Sequence, residues 1–175
     1  MESFISFPVL GDVRTWSLWV YTDASHANLP DGISSAMGCI VFVVGHNSAS
    51  CAVSWRANKV RRVVRSTLAA ETMALQEGLE EAIYVRSLIF ELLGWEVPIV
   101  GYVDNKSLVE AVYSTKQVSD RRLRIDIGAI KELLGSEVRQ IKWTPGSGQL
   151  ANCLTKRGAS GRDLLSVIQS GHMPY

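Results

Sequence analysis

The chain has 175 residues, of which 47% are hydrophobic and 20% are charged, a composition expected of a single globular domain that buries its own core. Lys and Arg number 18 and Asp and Glu number 17, so the formal net charge of +1 excludes a protein that coats nucleic acid through its overall charge. Three cysteines without a Cys-x-x-Cys pair indicate neither a disulfide framework nor a zinc site. The first residues do not resemble a secretory signal, and no apolar run reaches the ~20 residues that span a bilayer, so we expect no membrane association.

Three short strands are predicted at the start of the chain. Large apolar residues alternate with small or polar ones over 15–24, and two further apolar runs follow at 37–45 and 49–57. Turn-forming residues separate these runs. Three strands in such close succession indicate an antiparallel meander.

The pattern then changes to the period of a helix. Leu68, Leu75 and Leu79 are members of an amphipathic series that begins after Ser66, a candidate N-cap, and ends at Gly94. The predicted elements that follow are a strand, a short helix, a helix ending at Gly135, a strand and two last helical segments: 99–103, 107–113, 123–134, 138–143, 149–155 and 163–169. No repeat or linker divides the chain, so a single domain over 1–175 is predicted.

Three acidic residues fall where side chains from different elements can converge. Asp23 lies near the end of the first strand, Glu71 in the first turns of the long helix, and Asp104 directly after the fourth strand. Acids that gather repel one another, and a bound cation relieves that repulsion. Mg²⁺ takes oxygen ligands, and two such ions about 4 Å apart can hold the attacking water and the leaving oxygen of a phosphodiester. The other glutamates of the helix, Glu77, Glu80, Glu81 and Glu91, are interpreted as its solvated face.

The sequence around these acids resembles the first three acidic motifs of the ribonuclease H family. The motifs are YTDAS at 21–25, STLAAETMAL at 66–75 and VDN at 103–105. The resemblance is nearest to the branch found in copia-type retrotransposons. There it continues through Ser35, Gly38, VSWRANK at 53–59, RIDIGAIKE at 124–132 and ANCLTK at 151–156.

This resemblance implies an α/β ribonuclease H-like fold, with a five-stranded mixed sheet in which parallel strands are added to three antiparallel ones and helices flank the sheet. The core covers about 15–157, with terminal extensions at 1–14 and 158–175. The implied activity is hydrolysis of the RNA strand of an RNA–DNA hybrid with two Mg²⁺ ions, for which Mn²⁺ can substitute. Asp23 would bridge both ions, and Glu71 and Asp104 would complete the second site. The implied partners are the hybrid and a reverse transcriptase domain of the same polyprotein, within the cytoplasm, a virus-like particle or the nucleus.

One departure from the family pattern concerns the fourth metal ligand. The family carries an acid at the second position of the motif that matches ANCLTK, and this chain has Asn152 there. An amide offers a carbonyl oxygen without a charge, which weakens a site for an ion that gives up its water reluctantly. The predicted catalytic and metal-binding set is therefore Asp23, Glu71, Asp104 and Asn152, in a chain expected to bind hybrid but to cleave it slowly or not at all.

Predicted nucleic-acid contacts lie beside these acids. Five basic residues with no acid among them precede the long helix and form a candidate phosphate-binding stripe, namely Arg56, Lys59, Arg61, Arg62 and Arg65. Ser25, Ser66 and Asn105 are further candidate contacts. Two other basic groups are further candidates for phosphate contact, Arg121, Arg122 and Arg124, and Lys156 with Arg157. Ion pairing with Asp120 and Asp126 explains the first group at least as well, and the position at a helix end is an alternative explanation for the second.

Three alternatives were weighed against a ribonuclease. A non-catalytic module with the same fold, which binds nucleic acid or protein, remains open because of Asn152. An integrase or transposase predicts its glutamate last, whereas Glu71 lies in the middle of the order. A sugar- or ATP-binding relative is disfavoured because the chain has no glycine loop that would cradle phosphate.

Overall fold

The structure, a computed structural model, describes residues 4–27, 29–30, 32–156 and 158–174. Five strands form one sheet in the order β3-β2-β1-β4-β5. Their bounds are β1 Ser17–Ser25, β2 Ala36–Val44, β3 Ser50–Lys59, β4 Ile99–Val103 and β5 Gln140–Trp143. The first three strands pair antiparallel, while β4 pairs parallel with β1 and β5 pairs parallel with β4. The predicted five-stranded mixed sheet is confirmed.

Within the described ranges, five α-helices accompany the sheet: α1 Thr67–Leu93, α2 Lys106–Tyr113, α3 Arg121–Ser136, α4 Asn152–Thr155 and α5 Arg162–Ser170. The predicted limits of the long helix are correct, since the Ser66 hydroxyl accepts a hydrogen bond from the Ala69 backbone N–H and Gly94 ends the helix in the left-handed conformation. Among the described helices, none is long and apolar enough to cross a membrane.

Alternate residues of β1 face two separate apolar clusters. Leu18 and Val20 point toward α1, α2 and α3, whereas Tyr21 points toward α4 and α5. The described parts of the predicted terminal extensions belong to this packing. Leu10 packs against the first cluster, and α5 contributes Leu164 and Val167 to the second.

Two glycines allow helices to approach the end of the sheet that carries the acids. A Cβ at Gly78 of α1 would lie 2.3 Å from Cγ2 of Thr22, and a Cβ at Gly38 of β2 would lie 2.7 Å from Cβ of Leu154 in α4. Both positions therefore require glycine on steric grounds. The strand pairing aligns Gly38 with Asp23, so α4 passes directly over the acid-bearing end of β1.

Candidate functional site

Three carboxylates meet at one edge of the sheet. Because β1 and β4 are parallel, Asp23 near the end of β1 and Asp104 directly after β4 lie at the same edge, and α1 brings Glu71 to it. One carboxylate oxygen from each residue lies within 4.8 Å of the others. Asp23 is fully buried and Glu71 is only 4% exposed, while Asp104 is partly exposed. The three predicted acids are thus brought together.

Burial and mutual repulsion raise the proton affinity of this cluster. Desolvation, followed by the charges of Asp23 and Asp104, raises the pKa of Glu71 from 4.5 to about 8. A hydrogen bond from the Ala24 backbone and the charge of Lys156 oppose that rise. Desolvation and then the charge of Asp23 likewise raise the pKa of Asp104. The metal-free cluster therefore holds fewer negative charges at neutral pH than its composition suggests.

The fourth predicted position, Asn152, lies at the start of α4 beside Asp23. Its amide nitrogen donates to the Gly146 carbonyl at 2.8 Å, and its amide oxygen accepts a hydrogen bond from Lys156. The Lys156 ammonium also lies 3.1 Å from Oδ1 of Asp23. Asn152 and Asp23 thus share Lys156 as a partner, and the role of Asn152 as a metal ligand stays a prediction.

Two residues that the sequence analysis did not single out hold α4 in place. The Thr155 hydroxyl donates to Oδ2 of Asp23, and the side-chain amide of Gln149 donates to the Thr22 carbonyl at 3.0 Å. Gln149 is 4% exposed, and its side-chain oxygen also accepts a hydrogen bond from the Ala151 backbone N–H. Both residues lie in the predicted helical segment 149–155, and no local pattern there indicates a partner in β1, so only the structure reveals these contacts.

The basic stripe does not form an uninterrupted positive surface. Arg56 pairs with Glu81, and Arg62 pairs with Asp126, so acids that are distant in sequence neutralise part of it. Arg56 and Lys59 belong to β3, while Arg61, Arg62 and Arg65 lie in the following loop. Glu81, interpreted from sequence as solvated, has a side chain only 10% exposed and also accepts a hydrogen bond from the Ser54 hydroxyl. That interpretation is wrong for Glu81, because the Ser54 and Arg56 side chains of β3 reach across to it.

A groove of about 300 Å³ adjoins the far end of the stripe. Arg62, Arg65 and Ser66 line one side, at the start of α1, and Asp120, Arg122 and Asp126 line the other, at the start of α3. The basic cluster at 121–124 therefore contributes Arg122 to the same surface as the stripe. Two helix N-termini and three arginines give this groove a local preference for anions, which Asp120 and Asp126 partly offset.

The remaining predicted contacts are mostly engaged in local structure. Ser66 caps α1, and the side-chain oxygen of Asn105 caps α2 by accepting from the Leu108 backbone N–H at 3.1 Å. Ser25 is buried at the end of β1, and its hydroxyl has no hydrogen-bond partner among the described residues. This location corrects the prediction for Ser25, because its hydroxyl does not reach the surface. Arg157 lies outside the described residues.

The donor set fits a hard divalent cation. Oε2 of Glu71 is buried and has no hydrogen-bond partner in the described part of the chain, although it lies in a cluster of oxygen ligands. A buried carboxylate oxygen without a partner is costly, and a metal ion would satisfy it. Asp23, Glu71 and Asp104 are therefore the residues that would hold such an ion.

Comparison with known proteins identifies the family of the chain. No model of a protein family matches the chain. Over 148 residues, or 82% of the chain, it is 33% identical to the retrovirus-related Pol polyprotein from transposon RE1 of Arabidopsis thaliana, and 32% identical to that from transposon RE2. The chain belongs to the ribonuclease H-like domains of retroelement Pol polyproteins. It spans about a tenth of the length of these curated relatives.

Solved structures show the same fold for this ribonuclease H-like domain. The N-terminal RNase H domain of a Mycobacterium tuberculosis protein matches with a TM-score of 0.57 at 20% identity, covering 88% of this chain and 97% of that one. LC11-RNase H1, solved in complex with an RNA/DNA hybrid, matches with a TM-score of 0.56 at 15% identity, covering 79% of this chain and 94% of that one.

The raised pKa of Glu71 predicts how the stability of the metal-free ribonuclease H-like domain depends on pH. Unfolded, this carboxyl ionises near 4.5, whereas folded it keeps its proton up to about 8. Between these values the unfolded state binds fewer protons, so stability falls as pH rises, by at most about 1.4 kcal/mol per pH unit, and levels off above the folded pKa. Urea unfolding in EDTA should show this fall for the wild type and a smaller one for Glu71→Gln. The exposed Glu91→Gln is the control, and equal slopes for all three proteins contradict the assignment.

Proposed function

We propose that this domain hydrolyses the RNA strand of RNA–DNA hybrids with divalent metal ions, as part of a polyprotein that also contains a reverse transcriptase. The observation that carries the proposal is the meeting of Asp23, Glu71 and Asp104 within 4.8 Å, with a Glu71 oxygen left without a partner. Hybrid is the substrate that this family resemblance implies, and a structural neighbour was solved with one bound. The cytoplasm, a virus-like particle or the nucleus would be the place of action.

The chain's own residues have defined tasks in this proposal. Asp23 is fixed from both sides of its carboxylate, by Thr155 at Oδ2 and Lys156 at Oδ1, so its orientation is set before any ligand arrives. Glu71 and Asp104 supply the remaining carboxylates. Mg²⁺ or Mn²⁺ held by these three carboxylates would supply activation of the attacking water and stabilisation of the leaving oxygen. The buried location of Asp23 and Glu71 strengthens their attraction for a cation because water screens it less.

Asn152 is the reason we expect this activity to be weak. It presents a neutral oxygen where the family motif has a carboxylate, and that oxygen already accepts a hydrogen bond from Lys156. A divalent ion on this side would gain no charge from residue 152. Slow cleavage combined with retained hybrid binding is therefore the expected phenotype.

The test of the proposal is a cleavage assay that compares a labelled RNA–DNA hybrid with a DNA duplex of the same sequence, in Mg²⁺ and in Mn²⁺. We expect slow cleavage of the RNA strand alone, and no cleavage by Asp23→Asn. Cleavage of the duplex as fast as the hybrid, or undiminished activity of Asp23→Asn, would contradict the assignment.

The groove at the start of α1 gives a separate prediction for binding. Arg65 lines it beside Ser66, and we expect this guanidinium to contact a phosphate of the hybrid. Arg65→Ala should weaken hybrid binding and lower the slope of log affinity against log salt by about 0.9, the value for one released counterion. Fluorescence anisotropy of a labelled hybrid, measured at salt concentrations from about 50 to about 200 mM, gives both the affinity and the slope. Arg139→Ala is the matched control because Arg139 directly precedes β5, which is the edge strand on the side of the sheet opposite to β3. An equal change of slope in both variants would reject the assignment.

A second candidate function, a non-catalytic binding module, is favoured by the contact of Lys156 with the acids. An ion pair inside the cluster stabilises Asp23 without any metal. Metal titration separates the two functions, because an enzyme must bind divalent ions through Asp23, Glu71 and Asp104, and a binding module need not.

A further inference from the structure

The ammonium group of Lys156 contacts oxygens from three parts of the site. Nζ lies 3.1 Å from Oδ1 of Asp23, 2.5 Å from Oδ1 of Asn152 and 4.0 Å from Oδ2 of Asp104. These oxygens come from β1, α4 and the residue after β4, and they are of the kind that bind Mg²⁺. The ammonium therefore lies where ligand oxygens converge.

The carboxylate oxygens on the two sides of the cluster differ in whether the protein supplies them with hydrogen-bond donors. On the side of Asn152, both oxygens of Asp23 accept hydrogen bonds, from Thr155 and from Lys156. On the other side, Oε2 of Glu71 has no partner among the described residues. Lys156 thus supplies a donor to the oxygens on the Asn152 side, whereas the Glu71 oxygen keeps no donor.

The charges of these groups balance with a single divalent ion. Asp23, Glu71 and Asp104 carry three negative charges when all are ionised, and Asn152 adds none. Lys156 neutralises one of these charges, and one divalent ion neutralises the other two. A second ion would bring excess positive charge into a site where Asp23 and Glu71 are buried, and burial makes such an excess costly.

We infer that Lys156 is a tethered cation that occupies the Asn152 side of the cluster, so that the free protein binds one divalent ion, on the Glu71 side, instead of two. The inference rests on the proposed function, because that function supplies the expectation of two ions. It makes Lys156 the residue that a second ion must displace before the site is complete.

Calorimetric titration with Mn²⁺, in the absence of nucleic acid, tests this inference. The wild type is compared with Lys156→Gln, which keeps a hydrogen-bond donor for Asp23 but loses the charge, and with the exposed control Lys116→Gln. We expect one ion per chain for the wild type and the control. For Lys156→Gln we expect a second ion, bound at least tenfold more tightly than any second ion that the wild type takes up. Lys156→Arg, which retains the charge, should stay at one ion.

Two results would overturn the inference. One is a wild type that binds two ions with affinities that Lys156→Gln leaves unchanged, which leaves the proposed function intact. The other is a second ion in Lys156→Arg as tight as in Lys156→Gln, which shows that charge is not the cause. Absence of any Mn²⁺ binding by the wild type and Lys156→Gln alike instead removes the metal site, and with it the proposed function.

Discussion

The variant Asn152→Asp should cleave RNA–DNA hybrid faster than the wild type, by a factor on the order of 100, the upper part of the range by which groups that support a metal site change activity. An aspartate at this position adds a negative charge beside Asp23. At the same distance, the electrostatic attraction of that charge for a divalent ion is twice its attraction for the singly charged Lys156. The added charge therefore favours binding of a metal ion over the contact with Lys156. Initial rates with Mg²⁺, and Mn²⁺ affinity measured without nucleic acid, should rise together.

The same substitution has a local cost. The amide nitrogen of Asn152 donates to the Gly146 carbonyl, and a carboxylate cannot. We therefore expect Asn152→Asp to be slightly less stable than the wild type in EDTA and to regain that stability with Mn²⁺. Asn47→Asp, which makes the same charge change in the turn after β2 at the opposite end of the sheet, should alter neither rate nor affinity. No gain in either quantity for Asn152→Asp means that residue 152 is not the fourth ligand position.

The second large effect concerns the contact between α1 and β1. Gly78→Ala should destabilise the domain by about 1–3 kcal/mol, because the added methyl group would lie 2.3 Å from Cγ2 of Thr22 and 3.2 Å from Cγ2 of Val20. Both neighbours belong to the central strand and cannot move freely. Urea unfolding measures the loss. Because α1 also carries Glu71, a helix displaced from β1 should weaken Mn²⁺ binding as well.

Gly128→Ala provides the matched comparison for that experiment. Gly128 also lies inside a helix, α3, but a Cβ there has no neighbour within 4 Å among the described residues. The higher helix propensity of alanine should then stabilise the domain, by up to about 1 kcal/mol. The two substitutions are chemically identical, so opposite signs assign the loss at Gly78 to the close approach. Equal effects would show that the contact is not tight.

The parts of the fold that depend on local pattern were predictable from the sequence. The limits of α1 follow from Ser66 and Gly94, whose capping roles depend only on the adjacent backbone. The alternation over 15–24 identified β1 as a strand, and a strand end is where Asp23 was expected to meet other acids. The close succession of the first three strands indicated their antiparallel pairing, whereas the resemblance supplied the parallel strands, which local pattern alone does not determine.

Contacts between distant residues explain what the sequence did not reveal. Arg62 pairs with Asp126, 64 positions later, so a run that looks uniformly basic is partly neutralised in space. The position of Lys156 among the acids depends on how α4 docks, and a four-residue helix has little sequence signal of its own.

The docking of α4 also determines when the site forms. Thr155 and Lys156 reach Asp23 across 132 and 133 positions of sequence, so a chain emerging from the ribosome cannot fix the Asp23 carboxylate until nearly all of the domain has been made. A four-residue helix has few backbone hydrogen bonds of its own, although Gln149 and the close packing at Gly38 hold it against the sheet. Its amides should therefore exchange with solvent sooner than those of β1, through local openings that leave the sheet intact. Each such opening would release Asp23 from its tethered partner without unfolding the protein.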